Sequence, residues 1–229
     1  MIDLPKIYCA IDTPDFDHAK SLINQIAPAG CGIKLGLEFF NSFGPDGVKR
    51  VMGECDNLSV FLDLKYYDIP NTVAGAVRAA SKLGVDYLNV HASGGLDMMK
   101  AAKDACSEGT KLIAVTILTS FDEQAICAAG YSAGLQDRVL QMAELTKRAG
   151  LDGVVCSSYE IKSIRDACGK DFALMVPGIR PAGSNSDDQK RIMTPAEALN
   201  KGASHLVIGR PITNSDNPAQ AAKDIIASL

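Results

Sequence analysis

The stretch VFLDLKYYDIPNTVAGAVRAASKLGVDYLNVHA, residues 60–92, contains a complete strand–helix–strand unit. VFLDLK (60–65) and YLNVHA (87–92) are short apolar runs of β-forming residues. NTVAGAVRAASKLG (71–84) between them starts at an Asn suited to N-capping and ends at a Gly, as a helix should. Strands this continuously apolar belong to parallel sheets covered by helices rather than to sheets with one wet face.

The same beat recurs along the chain. Further strand candidates are IYCAID (7–12), GIKLG (32–36), KLIAVTILT (111–119), GVVCSS (153–158), ALMVPGI (173–179) and HLVIGR (205–210). Helix-like segments are DFDHAKSLINQIA (15–27), GLDMMKAAKDAC (95–106), LQDRVLQMAELTKRAG (135–150), YEIKSIRDACG (159–169), TPAEALNKGA (194–203) and NPAQAAKDIIASL (217–229). FDEQAICAAGYSAG (121–134) reads as an added helical turn after strand five. Eight βα beats predict an α/β fold of the (β/α)8 TIM-barrel type, with residues 1–229 forming a single domain. A doubly wound open sheet is the alternative, but no glycine-rich first turn is present to favour it.

Composition excludes several functions. The chain has 229 residues, a formal net charge of −4 and a pI near 5.4, so it lacks the basic excess that replaces counterions on nucleic acid. It has no Lys/Arg run for anionic membranes and no apolar run approaching the ~18 residues of a membrane span. Seven cysteines, scattered and without a CxxC pair, suit neither a disulfide framework nor a zinc site. They read as reduced thiols packed as small hydrophobes. The N-terminus MIDLPKIYCAID has no signal-peptide pattern. A cytoplasmic protein with no metal or cofactor is expected.

In barrels of this kind the chemistry gathers where strands end, and polar residues interrupt the apolar runs at that edge. Strand one ends in Asp12, strand two carries Lys34, and strand three holds Asp63 and Lys65. Strand five runs into Thr119-Ser120, strand seven into Pro177-Gly178-Ile179-Arg180, and strand eight into Gly209-Arg210. By alternation Val60, Leu62 and Leu64 face the outer helices, while Phe61, Asp63 and Lys65 face the barrel mouth. Asp63 and Lys65 then lie about 6.5 Å apart along the strand, with Lys34 approaching from its neighbour. An isolated charge there is costly, so these groups must compensate one another. An ion pair that merely plugs the barrel top is the alternative reading. The addition of Lys34, Asp68 and Asp12 at the same rim counts against it. Gly209 beside Arg210 suits a phosphate group, through close backbone approach and a two-pronged guanidinium. The long polar loop RPAGSNSDDQKR (180–191) beside it reads as a lid.

These blocks together resemble the orotidine 5′-monophosphate decarboxylase family, in its bacterial, monofunctional form. AIDTPD, GIKLG, FLDLKYYDIPNTV, NVHASGG, TILTS, VPGIRP and GRPIT occur in family order over nearly the whole chain. The DxKxxD core alone is shared with a wider group of sugar-phosphate barrel enzymes, some of which use magnesium. Its extension into IPNTV, with VPGIRP, a downstream Gln and GRPIT, is specific to the decarboxylases. The resemblance implies decarboxylation of orotidine 5′-monophosphate to UMP without a cofactor, in a homodimer with shared sites. It assigns a ribose contact to Asp12 and to Lys34, a place beside the substrate carboxylate to Asp63, and proton donation to Lys65. Asp68 and Thr72 would come from the partner subunit. Ser120 would meet the pyrimidine and Pro177 would pack near it. Arg180 would belong to the substrate-binding set, and Gln189 with Gly209 and Arg210 would hold the phosphate. His91 reads as a packing or supporting residue, and His18 and His205 as structural.

Overall fold

The computed structural model describes residues 4–132, 134–181 and 193–229. Eight parallel strands close into a barrel in chain order: β1 (Ile7–Ile11), β2 (Gly32–Leu35), β3 (Val60–Tyr66), β4 (Tyr87–His91), β5 (Lys111–Val115), β6 (Gly153–Val155), β7 (Ala173–Val176) and β8 (His205–Ile208). Around them lie α1 (Phe16–Ile26), α2 (Leu37–Met52), α3 (Pro70–Ser81), α4 (Gly95–Ala105), α5 (Glu123–Ala128), α6 (Leu135–Arg148), α7 (Ile161–Cys168), α8 (Pro195–Asn200), α9 (Arg210–Thr213) and α10 (Pro218–Ala227). Among the described residues no helix is long and apolar enough to cross a membrane.

The barrel reading holds, with two adjustments. The helix α2 is missing from the segments read in the sequence, because Gly44-Pro45-Asp46-Gly47 interrupts its apolar spacing. The chain there leaves helical geometry at Gly44 (φ 60°, ψ −163°), a conformation suited to glycine, and Phe39, Val48 and Val51 are buried on either side of the kink. The runs KLIAVTILT and ALMVPGI also extend past their strands, which stop at Val115 and Val176. Ile117 and Ile179 remain buried beyond those ends. Their apolar character records burial at the barrel rim, where Ile179 forms an isolated parallel bridge with Met193 outside the eight barrel strands.

Alternation gives the strands two faces. Ile7, Cys9, Ile33, Leu35, Val60, Leu62, Leu88 and Val90 face outward and join the apolar stripes of the helices in the main core. Tyr8, Phe61, Tyr87, Ile113, Met175 and Val207 face inward and fill the lower barrel. The rings of Tyr8, Phe61 and Tyr87 meet edge-on, with centroids 6.0 to 6.3 Å apart, the arrangement aromatic quadrupoles favour. Gly32 makes room for this layer, since a Cβ there would lie 2.8 Å from the Tyr8 ring. His205 donates from Nδ1 to the Pro5 carbonyl at 2.8 Å, because a carbonyl can only accept; in the neutral ring Nε2 then accepts from the Tyr87 hydroxyl at 2.9 Å. His205 is structural, as expected. Two residues further along β3 and β4 the inward positions turn from aromatic to charged or amide, at Asp63 and Asn89; on β1 the change comes four residues after Tyr8, at Asp12.

Candidate active site

The register explains how the charges meet. Ala10 pairs with Lys34, and Lys34 with Phe61. Asp12 and Asp63 lie two residues beyond Ala10 and Phe61, so they stand one inward layer higher. The Lys34 side chain reaches up between them. Its Nζ lies 3.0 Å from Asp12 Oδ1 and 3.6 Å from Asp63 Oδ2. Lys65 Nζ lies 2.6 Å from Asp63 Oδ1. The four groups form a row of alternating sign, Asp12–Lys34–Asp63–Lys65. Gly36 is part of its construction: a Cβ there would sit 2.8 Å from Asp12 Oδ1 and 3.0 Å from Lys34 Nζ.

Burial grades along this row. Lys34 and Asp63 are buried, Lys65 is half-buried, and Asp12 is exposed at the rim. Burial alone would push the Asp63 carboxyl up. The ammonium groups of Lys34 and Lys65, with hydrogen bonds from Lys65 and Asn89, outweigh it and hold the carboxyl below the usual carboxylate range. Asp63 is thus an anion that needs its neighbours.

The Asp63–Lys65 contact forms where β3 leaves regular strand geometry. The pairing of β3 with β4 slips between Leu62 and Tyr66, and Lys65 adopts φ 52°, a left-handed conformation uncommon outside glycine. The backbone turns there and folds the lysine back onto the carboxylate.

The row borders a cleft of about 450 Å³ at the C-terminal ends of the strands, within the range of small-molecule sites. Ala10, Val115, Ile117, Val155 and Val207 supply its apolar wall, and Pro177, Gly178, Arg180, Gly209 and Arg210 close it from the ends of β7 and β8. Arg180 is buried and donates to the Ile179 carbonyl at 3.0 Å, whereas Arg210 is exposed at the start of α9. Charge on one side and a cation-bearing turn on the other suit an anionic ligand with a separate anionic tail.

Other expected residues lie elsewhere. Ser120 is exposed on the turn after β5 and does not line the cleft, whereas its neighbour Thr119 does. Asp68 and Thr72 are exposed and outside this cleft, and the Asp68 carboxylate accepts the Ile69 N–H at 2.6 Å. Tyr67 and Ile69 beside it are 63% and 67% exposed, an unusual display for large apolar side chains. Gln189 lies outside the described residues, as does most of the 180–191 loop. His91 packs its ring 5.8 Å from Tyr67; burial, then the Lys65 ammonium, lowers its pKa. His18 corrects an expectation: read as structural, it is exposed and lines the cleft, because the first turn of α1 rises over the barrel mouth. Alternation on β4 places Asn89 inward between Tyr87 and His91, a signal the sequence reading did not use. Thr213 and Asn214 also line the cleft, through a four-residue helix with no periodicity to announce it.

Fold and cleft together define a barrel enzyme with a charge-lined site at the C-terminal edge of its sheet. The chain matches the family model "Orotidine 5′-phosphate decarboxylase / HUMPS family" over residues 5–225 and belongs to that family; as an enzyme it falls among the carboxy-lyases. It is 49% identical over 227 residues to the orotidine 5′-phosphate decarboxylase of Nitrosococcus oceani, covering 98% of this chain and 97% of that one. The crystal structure of orotidine 5′-phosphate decarboxylase from Lactobacillus acidophilus superposes with a TM-score of 0.86 at 35% identity, over 98% of each chain. Orotidine 5′-monophosphate decarboxylase from Methanocaldococcus jannaschii, complexed with inhibitor BMP, gives a TM-score of 0.79 at 25% identity, over 99% of each chain.

Proposed function

We propose that this protein decarboxylates orotidine 5′-monophosphate to UMP, the last step of de novo pyrimidine synthesis, in the cytoplasm. The observation that carries this reading is the alternating row Asp12–Lys34–Asp63–Lys65 along the cleft, in a chain of this family. The bond from C6 of the pyrimidine to its carboxylate breaks, CO2 leaves, and the electron pair stays on C6 in the ring plane. Lys65 places a cation beside that developing anion, then gives C6 a proton from Nζ and regains one from solvent. Preorganised charge is the main device available for such an anion. Two unit charges at 4 Å interact by about 4 kcal/mol at an effective dielectric near 20, before desolvation. Asp63 keeps Lys65 charged and aimed. Asp12 and Lys34 bind the ribose, Pro177 packs near the base, and Gly209, Arg210 and Gln189 take the phosphate.

The functional unit in this reading is a homodimer. Asp68 and Thr72 are exposed and do not line their own cleft, close in sequence to the exposed Tyr67 and Ile69, and in this reading each pair completes the site of the second copy. Asp68 then adds a further anion after Lys65 in the alternation. The deciding measurement is CO2 and UMP release from orotidine 5′-monophosphate by purified protein in excess EDTA. Turnover at an undiminished rate is expected. No turnover, or a strict magnesium requirement, overturns the reading in favour of a sugar-phosphate enzyme.

A further inference from the structure

Asn89 sits at the centre of the charged layer, fully buried. Its amide bridges two groups of the neighbouring strand. Oδ1 accepts the backbone N–H of Lys65 at 2.7 Å, and Nδ2 donates to Asp63 Oδ1 at 2.6 Å. We propose that Asn89 is a positioning residue for the decarboxylation, holding the Lys65 backbone in its left-handed turn and fixing the rotation of the Asp63 carboxylate. The proposal rests on the reading of Lys65 as proton donor.

Two features of the geometry assign this role. First, Leu62 pairs with Leu88, but Tyr66 pairs with Val90, so four steps along β3 match two along β4. The strand holds two extra residues at this place and loses regular ladder bonds. Lys65 lies inside the bulge at φ 52°. The Asn89 oxygen supplies an acceptor for its N–H where the slipped ladder leaves a gap. Without that bond the bulge has alternative conformations, and the ammonium loses its aim.

Second, Asp63 Oδ1 receives both Lys65 Nζ and Asn89 Nδ2, while Oδ2 faces Lys34. Rotation of the carboxylate breaks the Asn89 bond, so the amide sorts the two lysines onto different oxygens. The amide orientation follows from its partners: a backbone N–H can only donate, and an ionised carboxylate can only accept. The bridging side chain must therefore accept at one end and donate at the other within a single short group. Asparagine meets that requirement. Leucine fills the same space and does neither, and aspartate presents two acceptors and sets a second anion against Asp63.

The experiment compares Asn89→Leu and Asn89→Asp with wild type, with circular dichroism and thermal melting as the check on folding. In Asn89→Leu, kcat falls about 100-fold or more while KM changes less than about threefold, the pattern of an interaction that matters in the transition state. Asn89→Asp keeps the acceptor for Lys65, and once protonated it also regains a donor toward Asp63. Its activity relative to wild type therefore recovers as pH is lowered, and that of Asn89→Leu does not. The charged or titratable groups facing this pair are Lys34 from β2, Lys65 from β3, His91 on β4, and Asp12 through Lys34. Because Asn89→Asp leaves the Lys65 bond in place, it tests the proposal even if Asn89→Leu fails to fold.

A substrate-free readout separates this inference from the proposed reaction. NMR of carbon-13-labelled aspartate in the ligand-free protein should place the Asp63 titration at higher pH in Asn89→Leu than in wild type. Wild-type protein without turnover would sink the reaction but leave this titration to judge Asn89. An unchanged Asp63 titration, a folded Asn89→Leu with kcat within about threefold of wild type, or a pH-independent activity ratio for Asn89→Asp would each overturn the role.

Discussion

Two sets of inward side chains in the same barrel, aromatic below and charged above, have opposite characters. The lower layer is Tyr8, Phe61 and Tyr87, closed by His205; its polar atoms are spent on one another, on Ser59 and on the Pro5 carbonyl. The upper layer is Asp12, Lys34, Asp63, Asn89 and Lys65, whose charges are also paired but grade from buried to exposed toward the cleft. Strand alternation built both. The lower layer stabilises the barrel through apolar burial and ring packing. The upper one costs desolvation, offset by mutual pairing, and holds a half-buried ammonium where a ligand can meet it. Stability and chemistry are stacked along one axis, and each can be altered with limited damage to the other.

The sharpest break in that comparison is at Lys65. Lys65→Ala removes both a proton donor and a cation aimed at the developing anion. Turnover should fall about 10⁴-fold or more, with the melting temperature within a few degrees of wild type. Near-normal turnover would refute the donor role. Mixed with Asp68→Ala protein, it should recover part of the activity in verified heterodimers, since one site then holds an intact Lys65 and an intact partner Asp68. Heterodimers that stay inactive would end the shared-site reading.

A smaller effect separates the layers by pH. The Asp63 carboxyl is held below the usual range in the folded chain, so it contributes stability above the unfolded value of about 3.9. That contribution is lost as pH falls through its lower folded value. Asp63→Asn lacks it and leaves two lysines poorly compensated. The gap in unfolding free energy between wild type and Asp63→Asn should be widest near neutral pH and narrow in acid. A gap that stays constant in urea melts across that range would contradict the electrostatic account of the upper layer.

The least effect on chemistry is expected in the lower layer. Tyr87→Phe removes the donor to His205 Nε2 and keeps the ring. It should cost about 1 kcal/mol of stability and leave kcat within about twofold of wild type. A large loss of kcat in a folded protein would show that the layers are coupled more tightly than their contacts indicate.

Much of the upper layer was legible because strands have a period of two and barrels place function at one edge. That rule alone aligns Asp12, Lys34, Asp63 and Lys65. It also points Asn89 inward, but an uncharged amide in an apolar run draws no attention until its partners are seen. Neither α2 nor α9 was legible, for local reasons: Gly44 and Pro45 break the spacing in the first, and a single turn has no spacing in the second. His18 misled because an exposed histidine on an amphipathic helix looks the same whether it faces open solvent or a cleft.

The sequence by itself determined the eight beats, the inward face of each strand and the edge at which its charges collect, since all three follow from local periodicity. Only the tertiary structure decided how those charges meet. The slip between β3 and β4, the left-handed turn at Lys65 and the amide of Asn89 depend on the pairing of residues 24 to 26 positions apart. No local pattern encodes that register, because it is set by closure of the whole barrel.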